Sequence, residues 1–409
     1  MTVNNKSLII FQSLIFFNYL LYFYKTPESI YVFLSYLIIL LFLYILFDEY
    51  RKKNYFFIFL ITTCSIITLG SPVIDWDARS VWIMHAKQLF YSGDINVFFD
   101  DYQNIYWSHN DYPNLAATLS STITKTLNHW NEIFPKFSSI LLICTPLIFL
   151  FRLIKNCWQK IFLLLAVLFI LEKRLINGEM DGILSIYFCY IIFIIFNYRI
   201  KNNSNKIIDH YFLIINCVII TLIKHEGVAA LLSIILAIFI IDKLYKKKIF
   251  KFKTYIYFSI SLIPILVWMY LVNQNNQSLH LQKMTDLTLF KDQIFNFSSI
   301  LLIFNKLIIN KGMVIGICIF LFFLKDYVKF YNNLKISHLF NYQALKVLML
   351  IFTTILIYFS ILFLVFLCGT YETLESFLSQ YANRAILPIA FTLSYTGILI
   401  SKTDLRKNN

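Results

Sequence analysis

Five short polar segments hold most of the side chains capable of chemistry in an otherwise apolar chain. They are Asp75-Trp-Asp77, His109-Asn-Asp111-Tyr-Pro113, Asn177-Gly-Glu179-Met-Asp181, Lys224-His-Glu226 and Asn383-Arg384. A carboxylate in such a segment can take a proton from a hydroxyl, or it can simply cap a helix. Asp77 suits either task, and Asp-x-Asp is also a weak metal signal. A cation at the edge of an apolar run is costly there and has a partner or a function. The plain alternative for Arg384 is an interfacial anchor that snorkels. Lys224 and Glu226 are two apart, and such neighbours do not face each other on a helix. No contact between them is expected, and the triplet reads as a solvated tight turn. Of Glu179 and Asp181, one is expected to cap the run that follows. Asp111 reads as the exposed carboxylate of a polar turn. His85, His109 and His129 share one loop but match no standard ligand spacing. No metal is expected, with a divalent ion as the lesser alternative.

The elements that position these segments are apolar runs. Of the 409 residues, 59% are hydrophobic and only 14% charged, against about 25% charged in a soluble domain. That deficit excludes a water-exposed globule. Nine Gly and seven Pro exclude collagen-like and Pro-rich chains. The net charge of +14 would suggest nucleic acid in a soluble protein. Here the Lys and Arg sit in short loops between apolar runs, as the positive-inside rule describes, and no nucleic-acid partner is expected. The seven cysteines form no CxxC pair, so neither a zinc ribbon nor a disulfide framework is read.

A span needs about 20 apolar residues. By that rule twelve runs qualify, at 7–24, 29–47, 54–70, 133–151, 158–172, 181–198, 207–223, 227–241, 254–273, 299–324, 345–367 and 385–400. The tenth contains a candidate break near Lys306 to Gly312. The expected fold is therefore an all-α polytopic membrane protein of about 12 transmembrane helices, a single integral domain over 1–409, its first span retained. Basic loops such as Arg51-Lys52-Lys53, Arg152/Lys155/Lys160 and Lys243 to Lys253 alternate with poorer ones. Placing the basic loops inside puts both termini in the cytoplasm and the five polar segments outside.

The longest outer loop is 71–132. Within it Ala78, Val81, Trp82, Ala86, Leu89 and Phe90 recur at helical spacing, with Gly93 placed to end the helix. Arg79 falls off that face. Tyr112-Pro113 marks a turn before a second run, Leu115 to Leu127. Both are expected as amphipathic helices on the membrane surface.

Together these segments resemble the polyprenol-phosphate-sugar-dependent glycosyltransferases of the C-type membrane fold (GT-C), which include protein O-mannosyltransferases and lipid A aminoarabinose transferases. In that superfamily the first large outer loop opens with an acidic residue at the head of a surface helix ending near a Gly. Asp77-Ala-Arg-Ser-Val-Trp-Ile-Met-His-Ala-Lys and Gly93 match that element, and His109 to Leu115 loosely match the segment leading to the second helix. Asn177 to Gly182, Leu222 to Gly227 and Asn383 to Pro388 are similar to later family motifs. The resemblance implies an inverting transfer from a polyprenyl-phosphate-linked sugar to an acceptor hydroxyl of a glycan, lipid or protein. It implies Asp77 as base with Asp75 as second choice, because Asp75-Trp-Asp77 stands where the family has an adjacent acidic pair. It further implies Arg384 and Lys224 on the donor phosphate, for which a planar fork is well suited. His109, Asp111, Glu226, Asp181 and Arg79 would line the substrates. Membrane lipids are the surrounding partners, and a bacterial cell membrane is the expected location. The rivals are a polysaccharide polymerase or ligase and a non-enzymatic lipid or solute transporter. A transporter predicts ionisable residues in mid-span and paired halves, whereas here the ionisable residues sit at the ends of runs.

Overall fold

A backbone inside a bilayer has to satisfy its own polar groups, and a helix does so locally. The computed structural model describes residues 6–99, 109–200, 206–244, 252–275, 287–331, 343–369 and 373–400, and among these the regular elements are all helical. They are α1 (Lys6–Leu21), α2 (Glu28–Arg51), α3 (Tyr55–Gly70), α4 (Met84–Ser92), α5 (Leu115–Thr124), α6 (Phe137–Leu153), α7 (Cys157–Ala166), α8 (Asp181–Ile200) and α9 (Lys206–Ile223). There follow α10 (Glu226–Leu244), α11 (Phe252–Gln274), α12 (Leu287–Ile294), α13 (Phe297–Ile308), α14 (Lys311–Tyr331), α15 (Gln343–Leu367), α16 (Leu374–Ala385) and α17 (Leu387–Ile400). Wide π-type turns precede α4 at Ala78–Ile83 and follow α7 at Val167–Leu171. The expected cytoplasmic termini and most of the Lys243 to Lys253 loop lie outside the described residues.

All twelve apolar runs contain helix, but not twelve spans. Among the described residues five helices are long and apolar enough to cross a membrane, Glu28–Arg51, Phe134–Leu153, Glu226–Leu244, Lys253–Gln274 and Leu348–Leu367. The bent pair Phe297–Ile308 and Lys311–Leu324 makes a sixth if it is one span. For three of the other runs the reason is length. Helices α1 and α3 have 16 residues each and α17 has 14. At about 1.5 Å per residue they fall short of a hydrocarbon core of about 30 Å. The chain is thus a helical membrane protein built from long spans and shorter apolar helices packed among them.

Helix α6 is the central post, 89% buried over its apolar window, whereas α2 and α11 are 33% and 28% buried. The peripheral helices turn Phe33, Leu40, Phe47, Leu266 and Tyr270 outward, as lipid-facing surfaces do. Helices α14 and α17 meet backbone to backbone. A Cβ on Gly316 would lie 2.5 Å from the Ala390 carbonyl oxygen, and one on Gly397 would lie 2.6 Å from Phe320 Cα. Small residues at such crossings allow the close approach that drives helix association in lipid. The tenth run breaks between Ile308 and Lys311 and bends by 62°, within the stretch the sequence marked. There Asn310 accepts from the Gly312 amide at 2.9 Å and its own amide donates to Asn383. The break is thereby tied to the residue preceding Arg384.

The long loop does not lie on a surface throughout. Ala78, Val81, Trp82, Ala86, Leu89 and Phe90 are buried as their spacing requires, and Gly93 ends α4 in the left-handed region at φ 65°. Helix α5, expected to be amphipathic and superficial, is instead buried on every side. Its polar residues are Ser and Thr, whose hydroxyls find partners inside. Thr118 donates to Leu115 O at 2.8 Å, Ser120 meets Ser138 at 2.7 Å, Tyr22 donates to Ser121 at 2.8 Å and Thr122 donates to Asn18 at 2.6 Å. A hydroxyl satisfied in this way does not need water.

Candidate active site

The polar segments converge at one end of the bundle, around Asp181. This residue opens α8 and serves two cations. Its Oδ1 accepts from Lys224 Nζ at 2.9 Å and its Oδ2 from Arg384 Nε at 2.9 Å. Lys224 also pairs with Glu226 Oε1 at 2.9 Å, and Arg384 Nη2 reaches Asp77 Oδ2. The result is a row of alternating charge, Asp77–Arg384–Asp181–Lys224–Glu226, in which three carboxylates face two cations.

The Lys224–Glu226 contact corrects the expectation drawn from helical spacing. Lys224 stands between α9, which ends at Ile223, and α10, which begins at Glu226. Across that turn the two side chains can face each other, and the triplet is buried rather than solvated at Lys224 and His225. The turn demands Gly227, because a Cβ there would lie 1.9 Å from the Ile220 carbonyl oxygen. Burial pulls the Lys224 ammonium toward neutrality, but Asp181 and Glu226 outweigh it and hold its pKa well above the ordinary value. Arg384 follows the same logic: burial opposes its charge, while Asp181 and Asp77 hold its pKa above the ordinary value. The acidic neighbours thus favour the charged form of both cations.

One end of the row opens into a cavity of about 480 Å³ lined by Trp76, Asp77, His109, Gln380, Tyr381 and Arg384. One wall is the head of the long-loop helix together with His109. The other is a face of α16, on which Gln380, Tyr381 and Arg384 follow at helical spacing. Asp77 could have been only a helix cap, but its side chain makes no cap hydrogen bond and engages Arg384 instead. His109 adopts φ 53° and packs between the rings of Trp76 and Tyr112, with centroids 6.5 and 5.4 Å away.

The remaining sequence candidates sit around this centre. Asp75 is turned away from the cavity, bound by Lys173 and, at 2.6 Å, by the Asn177 amide. Its burial favours the neutral acid, but those two hydrogen bonds outweigh it and hold its pKa below the usual carboxylate value. Glu179 is buried, with Arg174 at 3.8 Å and one oxygen lacking a hydrogen-bond partner. Burial and, next, the nearby Asp181 push its pKa up. Asp111 is not an exposed turn residue. It is buried against His225, with Oδ2 to Nε2 at 3.2 Å, and its carbonyl accepts from Trp268 Nε1 at 2.7 Å. Arg79 is exposed and outside the cavity lining. The three histidines of the loop have separate surroundings. His85 is buried with Nδ1 2.9 Å from Asn114 Oδ1, while His129 is exposed beside the Leu127 carbonyl. Among the described residues no three His, Cys, Asp or Glu gather as ligands for an ion.

Of the residues singled out in the sequence, Asp77, Arg384, Asp181, Lys224 and Glu226 form the row and His109 lines its cavity, while Asp75, Asp111 and Arg79 have other surroundings. Sequence reasoning missed Trp76, Gln380 and Tyr381 as lining residues and His225 as the partner of Asp111. It also placed no helix between the apolar runs at 345–367 and 385–400, whereas Leu374–Ala385 is a helix capped by Thr373, whose hydroxyl accepts from Ser376 N at 3.1 Å. The Thr373-Leu-Glu-Ser376 start and the spacing of Phe377, Leu378 and Tyr381 carried that signal. Comparison with protein-family models, curated proteins and solved structures finds no match for this chain.

Proposed function

We propose that this chain is a membrane glycosyltransferase that moves a sugar from a polyprenyl-phosphate donor to an acceptor hydroxyl on the non-cytoplasmic face. The observation that carries the reading is the pairing across one cavity of a carboxylate and a guanidinium from opposite ends of the chain. Transfer from a phosphate-linked sugar needs a base for the incoming hydroxyl and positive charge for the leaving phosphate. Asp77 is the base, and Arg384 meets the phosphate. Lys224 acts through Asp181, since it does not line the cavity.

The pairing of Asp77 with Arg384 fits the resting protein, because a carboxylate oxygen engaged by a guanidinium is not open to an incoming hydroxyl. Arg384 gives Nε to Asp181 and Nη2 to Asp77. A phosphate arriving at the Nη edge competes with Asp77 and leaves the Asp181 contact in place. Donor binding thereby frees the base, so the donor enters before the acceptor. Asp75 is a poorer base candidate, since both its oxygens are already engaged. The placement of these charges at helix ends supports an enzyme over a transporter, for which mid-span ionisable groups are the expectation.

The test uses the full-length protein in lipid nanodiscs with synthetic polyprenyl-phosphate sugars, reading release of polyprenyl phosphate in the presence of candidate acceptors. Asp77→Asn keeps the shape and any capping capacity but removes the base, and it should lower turnover by about 10²–10⁴-fold while donor binding persists. Unchanged turnover in that variant, or failure of the folded wild type to bind any such donor, overturns the reading.

A further inference from the structure

The cavity holds groups that neither the base nor the phosphate contact uses. Trp76, immediately before Asp77 in the chain, is 51% exposed although it lines the cavity. Its ring meets His109 edge to face, and its indole N–H has no protein partner among the described residues. Across the cavity Gln380 is also exposed, and its amide nitrogen has only a long contact of 3.4 Å to Ser376 Oγ. An open aromatic ring, a free N–H and a loosely held amide beside a carboxylate form a mixed apolar and polar surface. Few small molecules match both characters at once. The ring face of an aromatic carries negative charge density, which attracts C–H groups made electropositive by neighbouring oxygens. A pyranose offers such C–H groups on its faces and hydroxyls around its edge. A serine or threonine peptide would bring backbone amides needing partners of their own, and an alkyl alcohol would leave Gln380 and the indole N–H unused.

Resting on the glycosyl-transfer reading above, we propose that the acceptor is itself a sugar, whose ring packs on the Trp76 indole and presents one hydroxyl to Asp77 while Gln380 binds a neighbouring hydroxyl. Trp76 sits on the acceptor side because it adjoins the base, whereas Tyr381 packs on Arg384, its ring centroid 5.8 Å from the guanidinium carbon, on the phosphate side. In the step itself the acceptor oxygen bonds to the anomeric carbon as the bond from that carbon to the phosphate oxygen breaks. The hydroxyl proton passes to Asp77, and the electron pair stays on the phosphate, where Arg384 meets its charge.

Two measurements test the assignment on the wild type, Trp76→Phe and Trp76→Leu in nanodiscs. The first is saturation-transfer NMR of binding by methyl glycosides, with N-acetylserine amide and propanol as controls. The second is donor turnover with the same acceptors. Binding of a methyl glycoside in preference to the controls is expected. Its affinity should fall about tenfold in Trp76→Leu, the scale of one aromatic contact, and less in Trp76→Phe, with the acceptor KM rising in parallel. Equal glycoside binding by the wild type and Trp76→Leu overturns the proposal, as does preference for the serine amide. Indistinguishable Phe and Leu variants would mark Trp76 as a bilayer anchor and overturn it as well. In each of these cases Asp77-dependent donor turnover would leave the transferase reading standing. Trp76-dependent glycoside binding without turnover of any donor would instead remove the transferase reading, and with it the acceptor role.

Discussion

Two partly buried ion-pair clusters lie toward opposite ends of the central helix α6, about 25 Å long by its residue count. At the far end from the cavity, Glu49 is fully buried and closed. Arg152 forks onto both its oxygens, with Nε to Oε2 at 3.2 Å, and Asn54 Nδ2 donates to Oε2 at 2.8 Å. At the other end the row from Asp77 to Glu226 is open. It faces a cavity, carries more carboxylates than cations and leaves one oxygen of Glu226, as of the neighbouring Glu179, without a hydrogen-bond partner. A buried charge whose every atom is satisfied holds helices together. A cluster with spare acceptors and room beside it is arranged to receive something. On the proposed reading, structure falls to one end of α6 and chemistry to the other.

The largest expected effect breaks the open end alone. Asp77→Asn should lower turnover by about 10²–10⁴-fold, the range for loss of a general base, with yield and thermal stability of the purified protein unchanged. The closed end should behave in the opposite way. Arg152→Ala strands the buried Glu49 and should cost about 3–5 kcal/mol of stability, seen as a lower midpoint of thermal unfolding, while turnover per folded molecule stays normal. Replacing Glu49 and Arg152 together by Leu should recover most of that loss, since an apolar pair of similar volume avoids the desolvation penalty. If Arg152→Ala abolished turnover without lowering stability, the division of labour would fail.

Arg384→Lys sharpens the comparison. It keeps the charge but loses the fork that now joins Asp77 and Asp181. Donor affinity should drop by about one to two decades, matching about 1.5–3 kcal/mol for a charged hydrogen bond. An interfacial anchor predicts no loss, so equilibrium binding of the donor lipid decides. The smallest effect belongs to Glu179. Its pKa is raised in the folded protein by burial and Asp181, so its stability contribution is fully present at acid pH and is lost as pH rises through the folded value. Glu179→Gln mimics the neutral acid. It should match the wild type in acid and exceed it in melting temperature above that range, and a constant difference across pH would contradict the assignment.

The sequence made local features legible and long-range pairings much less so. The buried face of 78–92, its Gly93 stop and the break in the tenth run follow from periodicity and from single residues. Asp77 and Arg384 were identified as important separately, but nothing in their spacing says that they touch. Span number was overread because an apolar run reports burial without saying whether lipid or protein covers it, and α1, α3 and α17 are too short to decide in favour of lipid. Helix α5 was misplaced because Ser and Thr look polar in sequence yet satisfy themselves against neighbouring hydroxyls and carbonyls. The Lys224–Glu226 contact was discounted on a helical rule that lapses at a turn.

The row of alternating charge also has a history within each molecule. Its members leave the ribosome in the order Asp77, Asp181, Lys224, Glu226, Arg384, and 203 residues separate Asp181 from Arg384. At about 5–20 residues per second the nascent chain spends roughly 10–40 s with Asp77 and Asp181 made and Arg384 still to come, and through the later part of that interval three carboxylates share one lysine. Arg384 arrives on α16, just before α17 and its glycine crossing with α14 close the bundle. Arrival of Arg384 thus brings the second cation to the row and joins Asp77 to Asp181. A chain stopped before Arg384 would leave Asp77 and Asp181 without the side chain that touches both of them in the fold.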